Sequence, residues 1–349
     1  MPLLADETLR RFMQLYIHDT LPGKEQARIT HYTNVSNSWE HDLFSFHIEY
    51  KLAGKPSAED IILKIYYGNG APQKAQKELS GMLQLLQSTF PVPHVKLAAL
   101  NNSPFGHPCI AMDKVQGHTM LQVLDQSSST EQHDLLTRFC ELYVHLHTLD
   151  WRPFASEPAH YQTKRFIQNW LLESYMFIEQ LQPLTFSPAM DWLQEQSKQI
   201  VCQGFSVIHG DFHLTNVLLT DDGAAFVIDW TDIDVSDYRF DLAWTLMLIS
   251  TQRDATLSNT IQLLYEQLAN KSVEHIEFFM VIACIRRLFD IVVSLNSGAT
   301  RLGMKPEVRG LIHKKTEHIQ AVYDQLLKLT GRSLPQIEKL IHSLPQTPS

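Results

Sequence analysis

Between residues 207 and 230 the chain alternates short apolar runs with polar turns, and this rhythm constrains its fold more than any other feature. Val207-Ile208 leads into His209-Gly210-Asp211-Phe212-His213-Leu214-Thr215-Asn216, and Val217-Leu218-Leu219 follows. Asp221-Asp222-Gly223 then interrupts, and Ala225-Phe226-Val227-Ile228 delivers Asp229-Trp230. Asp-Gly between β-prone segments signals a tight hairpin, because both residues tolerate positive φ. The spacing predicts antiparallel strands over 216–220 and 225–228. Asn216 then starts the first strand, Asp229 lies just past the second at the same end of the hairpin, and Asp211 sits on the loop leading in. An ordinary hairpin with acidic ends accounts for any one of these residues alone. Three oxygen-bearing side chains at strand ends, introduced by His209-Gly210, read instead as a site.

The chemistry such a site serves is phosphoryl transfer, which needs a carboxylate to take a hydroxyl proton and hard oxygen ligands for magnesium on a nucleotide. His-Gly-Asp-x-x-x-x-Asn followed by Ile-Asp-Trp resembles the aminoglycoside phosphotransferase and choline kinase superfamily, the small-molecule branch of the protein-kinase-like fold. Phe240-Asp241-Leu242-Ala243 and Leu146-His147-Thr148-Leu149-Asp150-Trp151 extend the likeness, which runs from about residue 30 to about residue 250. The resemblance implies Asp211 as catalytic base and Asn216 and Asp229 as ligands of Mg2+. It implies Asp241 as the buried acid that holds the catalytic loop. His209 is read as a structural support of that loop. The implied fold is α+β and bilobal, with a five-stranded antiparallel sheet in an N-terminal lobe (1–115) and a larger, mainly helical C-terminal lobe (116–349).

Length agrees with two lobes, since 349 residues exceed what one compact core holds. In the first lobe, strands are expected over 28–35, 43–52, 59–67, 95–100 and 109–114, after a helix over 6–19. A single lysine, Lys64, interrupts the apolar run 61–67. Burying its stem is cheap, but burying its ammonium needs a partner. Lys64 is therefore read as a contact to nucleotide phosphates, against the alternative of an edge-strand lysine reaching water. The resemblance implies Glu78, on a helix over 72–88, as its partner. Ser36, Asn37 and Ser38, in a glycine-free loop over 34–42, stand where the resemblance implies a phosphate-covering loop. Glycine would let backbone amides approach phosphate more closely. Backbone groups near Met112 to Lys114, at the hinge between lobes, are expected to read the adenine edge. Ser129-x-x-Gln132 resembles a capping box opening a long helix, and later helices are expected over 160–182, 187–200, 239–250, 256–269, 273–295 and 306–329.

Several classes are excluded. A net charge of −9 without a Lys/Arg stripe argues against nucleic acid. The longest strongly apolar run, 278–285, is too short to span a bilayer, and the acidic first residues do not suit a signal peptide. A cytoplasmic protein without membrane association is expected. Four scattered cysteines (Cys109, Cys140, Cys202, Cys284) read as buried free thiols. No zinc spacing, phosphate-binding Gly-x-x-x-x-Gly-Lys loop or Gly-x-Ser-x-Gly elbow occurs. Asp232, Asp234 and Asp237 form either an acidic subsite for a cationic acceptor or a solvated turn. Eleven residues separate Asp229 from Asp241, too few for an activation loop that docks a protein substrate. The expected activity is ATP- and magnesium-dependent phosphorylation of a small-molecule hydroxyl, of aminoglycoside, choline-like, amino-alcohol or sugar type. A catalytically silent nucleotide-binding or scaffolding protein on the same fold is the alternative.

Overall fold

The apolar run that holds Lys64 becomes a strand covered on both faces, which is why it reads as continuous rather than alternating. The computed structural model describes residues 6–20, 24–35, 41–68, 70–182, 185–295 and 316–344. They fall into two compact units. One holds the described residues up to Gly117 together with Leu218–Thr231, and the other holds His118–Val217 and the described residues from Asp232 onward.

The first unit opens with α1 (Asp6–Thr20) and continues through β1 (Lys24–Asn34), β2 (His41–Leu52), β3 (Lys55–Tyr66), α2 (Ala71–Gln87), β4 (Val95–Ala99) and β5 (Cys109–Asp113). The sheet has the order β1-β2-β3-β5-β4 with antiparallel neighbours throughout, so the expected five-stranded antiparallel sheet is present. Side chains alternate across β3. Ile61, Leu63 and Ile65 join Phe12 and Tyr16 of α1, with Phe46 and Ile48 of β2, in one apolar cluster. Lys64, next to them in sequence, is only 2 % exposed.

The predicted hairpin forms from β8 (Val217–Leu219) and β9 (Ala225–Val227), which follow β6 (His118–Thr119) and β7 (Ser206–Ile208). The Thr220 N–H donates to the Ala224 carbonyl at 2.9 Å, and Gly223 takes φ +84° in the turn. Within the first unit the Val227 N–H donates to the Pro91 carbonyl at 2.8 Å and Trp230 meets Phe90 edge to face.

The second unit is mainly helical: α3 (Met120–Gln126), α4 (Ser129–Thr148), α5 (Phe166–Leu181), α6 (Ser187–Ser197), α7 (Tyr238–Gln252), α8 (Ala255–Ala269), α9 (Ile276–Val293), α10 (Thr316–Thr330) and α11 (Pro335–Ser343). The capping box of α4 lies one residue earlier than expected: Ser128 and Glu131 cap each other, since the Ser128 N–H donates to Glu131 at 2.8 Å. Helix α7 is buried along nearly its whole length and serves as a core element rather than an amphipathic one. The sequence reading missed β6, α3, α11 and the antiparallel pairing of β7 with β10 (Asp234–Ser236). All four cysteines are buried free thiols.

Candidate active site

In the first unit, β3 and α2 bring a cation and two carboxylates together. The Lys64 ammonium donates to Glu78 Oε1 at 2.9 Å, to Asp229 Oδ1 at 2.7 Å and to Thr231 Oγ1 at 2.6 Å. Glu78 Oε2 lies 2.8 Å away as well, so the three N–H donors of the ammonium, its full capacity, are shared among four oxygens. Tyr66 donates to the other Glu78 oxygen at 2.6 Å, fixing that carboxylate from behind. Burial works against the Lys64 charge, but Asp229 and Glu78 more than offset it and push its pKa up to about 12. Burial alone would raise the Asp229 carboxyl, yet the Lys64 charge, His41 and the bonds from Lys64 and Thr231 hold it far below the usual range. Asp229 also sits at φ +65°, in the left-handed region that Asp tolerates better than most residues.

Thr231 was not foreseen. A hydroxyl two residues beyond an acid is a common sequence event and carries no signal until β3 supplies the lysine. Ser36, Asn37 and Ser38 lie outside the described residues. Met112 is buried in β5, in register with Ile62 of β3 and Val95 of β4. The Asp113 N–H donates to the His94 carbonyl at 2.9 Å and the Lys114 N–H to the Asp60 carbonyl at 3.1 Å. These two backbone donors are taken up inside the unit, so an adenine edge would have to be met by other backbone groups of the stretch.

In the second unit, the loop after β7 is pinned through its backbone. Asp241, in the first turn of α7, accepts the His209 N–H at 2.7 Å and the Gly210 N–H at 2.9 Å, one on each carboxylate oxygen. The His147 imidazole of α4 lies 3.4 Å from the same carboxylate and 2.9 Å from the Tyr265 hydroxyl of α8. Burial holds that imidazole below its ordinary pKa. His209 is fully buried, and its ring accepts the Asp211 N–H at 3.2 Å. Phe212 stacks on Tyr143 with centroids 4.1 Å apart. Gly210 has φ +82°, and a Cβ there would lie 2.6 Å from the Asp232 Cβ, so glycine is required twice over.

On this fixed loop, Asp211 accepts the Trp244 indole N–H on Oδ1 at 2.7 Å, while Oδ2 lies 3.3 Å from His213 Nε2. His213 is held in turn by Thr215 at 2.6 Å. The Asn216 amide donates to the Asp211 carbonyl at 2.9 Å, which fixes the orientation of its side chain. Among the described residues no group of three or more His, Cys, Asp or Glu is placed to hold a metal ion. Asn216 and Asp229 nevertheless fit magnesium in kind, since each offers a hard oxygen and Mg2+ takes few protein ligands when phosphates supply the rest.

The three aspartates after Asp229 part company. Asp237 is fully buried, caps α7 and binds Arg239 bidentately at 2.9 and 2.7 Å. Asp232 pairs with Arg286 at 2.8 Å, and Asp234 is exposed and accepts the Val235 N–H at 2.7 Å. Asp234 and Asp232 thus agree with a solvated acidic turn, whereas Asp237, expected with them, is buried and structural. The missed signal was the position of Asp237 directly before a helix, where an acid caps backbone N–H groups. Trp244 and Arg286 were missed outright.

Solved structures share this fold. A proposed aminoglycoside phosphotransferase of Ralstonia eutropha JMP134 is similar at 16% identity over 94% of this chain and 99% of its own, with a TM-score of 0.62. The streptomycin–ATP ternary complex of the aminoglycoside phosphotransferase APH(2'')-IIa matches at 14% identity, covering 86% and 94%, with a TM-score of 0.58. An ethanolamine kinase of Plasmodium vivax matches at 12%, covering 78% and 81%, with a TM-score of 0.54. At such identities the likeness is one of fold. No curated protein sequence matches this one significantly. The fold is that of kinase-type phosphotransferases. Residues 46–273, well over half of the sequence, match the model of the phosphotransferase enzyme family, and the chain belongs to that family.

Proposed function

We propose that the protein transfers the terminal phosphoryl group of ATP to a hydroxyl of a small molecule, with magnesium as the metal. The observation that carries this reading is the Asp211 carboxylate, fixed on one oxygen by Trp244 and carried on a loop whose backbone is pinned by Asp241. A base must be held in place before the acceptor arrives, and positioning supplies most of the rate in phosphoryl transfer. The acceptor oxygen forms a bond to the terminal phosphorus, the bond from that phosphorus to ADP breaks, and the hydroxyl proton passes to Asp211. Lys64, kept cationic by Glu78, neutralises charge on the nucleotide phosphates. Magnesium, when bound, adds positive charge at the phosphate oxygens, and Asp229 and Asn216 are the side chains that would hold it.

Similar folds occur in complexes with streptomycin and ATP and with ADP, and in an ethanolamine kinase. These support a nucleotide donor and an acceptor of amino-alcohol, aminoglycoside or sugar type. The four unpaired thiols accord with a cytoplasmic setting. The test is ATP consumption by purified protein with magnesium against a panel of amino-alcohols, sugars and hydroxylated antibiotics. Turnover with one acceptor class is expected, falling about 10³-fold in Asp211→Asn. Absence of both ATP binding and turnover across the panel would overturn the proposal.

A further inference from the structure

We propose that Arg286 is a positioning residue for the base: from α9 it grips the loop before Asp211 and the indole that holds the Asp211 carboxylate. This rests on the reading of Asp211 as base. Three contacts of one guanidinium carry the inference. Its Nη1 donates to the Gly210 carbonyl at 2.9 Å, its Nη2 donates to Asp232 at 2.8 Å, and its Cζ lies 4.1 Å from the centroid of the Trp244 ring. Trp244 in turn donates its N–H to Asp211 Oδ1 at 2.7 Å. Four segments distant in sequence, around residues 210, 232, 244 and 286, thus meet on one side chain.

The ion pair alone does not account for this arrangement. The Arg286 and Asp232 side chains are 42% and 43% exposed, and pairs that wet contribute little to stability. The other two contacts act on the base. The bond to the Gly210 carbonyl fixes the peptide immediately before Asp211, at a residue whose left-handed backbone leaves little latitude. The cation over the indole face draws electron density from the ring and favours donation by its N–H. Lysine keeps the charge but not the fork that spans a carbonyl, a carboxylate and a ring face, so the site calls for arginine in particular.

The test reads the indole directly. The protein has six tryptophans, and in protein labelled with 15N at tryptophan the Trp244→Phe variant identifies the Trp244 indole resonance. Asp211→Ala and Arg286→Met are each expected to move that resonance upfield and to speed its hydrogen exchange at least about tenfold, with Arg286→Lys intermediate. In the ATP-consumption assay with the acceptor found in the panel, Arg286→Met is expected to lower kcat by about 10- to 100-fold. The nucleotide KM should stay within about twofold, and Arg286→Lys should recover part of the loss. Circular dichroism and thermal melting verify that each variant folds. An indole resonance and exchange rate unchanged in Arg286→Met overturn the proposal, as does a loss expressed in nucleotide KM rather than kcat. An indole that responds as expected, in a protein whose Asp211→Asn variant still turns over, overturns the base assignment and leaves the grip of Arg286 standing.

Discussion

The lysine cluster of the first unit and the aspartate loop of the second solve opposite electrostatic problems. Around Lys64, side chains hold side chains: an ammonium, two carboxylates and a hydroxyl satisfy one another, with Lys64 and Glu78 buried and Asp229 about a third exposed. Around Asp211, the carboxylate is likewise about a third exposed, and beside the Trp244 indole the constraint runs through the backbone of its loop, by the two N–H groups given to Asp241. A buried charge needs partners to exist at all. A working base must stay within reach of its acceptor, so much of its fixation comes through the loop that carries it. The first arrangement therefore loses stability when a partner goes, and the second loses stability and the placing of the base together.

The largest expected effect that sharpens this contrast is Asp241→Asn. An amide presents an NH2 to one of the two backbone donors, so one N–H faces a donor in place of an acceptor. About 3 kcal/mol of stability should go, and kcat should fall by about 10²-fold or more, measured by denaturant unfolding and by ATP consumption. Next comes Gly210→Ala, where the φ and the Asp232 contact together cost about 2 kcal/mol. Turnover should drop roughly tenfold by the same positioning argument. If Gly210→Ala destabilises yet turns over normally, the backbone is not what positions the base.

The smallest effect concerns pH. Lys64 has its pKa raised above 10.5 in the folded state, so its contribution is fully present below about pH 10.5 and is lost as pH rises through about 12. The contribution is about 2 kcal/mol by linkage. The midpoint of thermal unfolding should fall over that window in the parent protein and fall less in Lys64→Met. Equal slopes would show that the cluster is not held by charge.

The two regions were also unequally legible. A lone lysine in an apolar strand asks for a partner if it is buried, but the sequence also allowed it to reach water, and Glu78 was singled out by the family resemblance rather than by the lysine. The hairpin was legible because its turn residues are local. Trp244 and Arg286 were not, because an indole in an apolar helix reads as core, and the carbonyl that Arg286 binds lies 76 residues upstream. Tertiary partners at that distance leave no periodic trace. The same holds for Arg239, whose acid was counted as one of a surface cluster when it is sealed inside with its partner.

Asp229 shows how one position can be selected twice. Its backbone, at φ +65°, admits glycine, asparagine and aspartate readily and excludes branched or bulky residues on steric grounds, before any chemistry is asked of it. Its carboxylate is then required by the lysine. Glycine would satisfy the first demand and glutamate the charge of the second, but among the acids only aspartate meets both. A chain drifting in sequence has almost nowhere to go at residue 229. Asparagine is the substitution that removes the charge while keeping the fold's geometry, which makes it the clean probe of what that charge does.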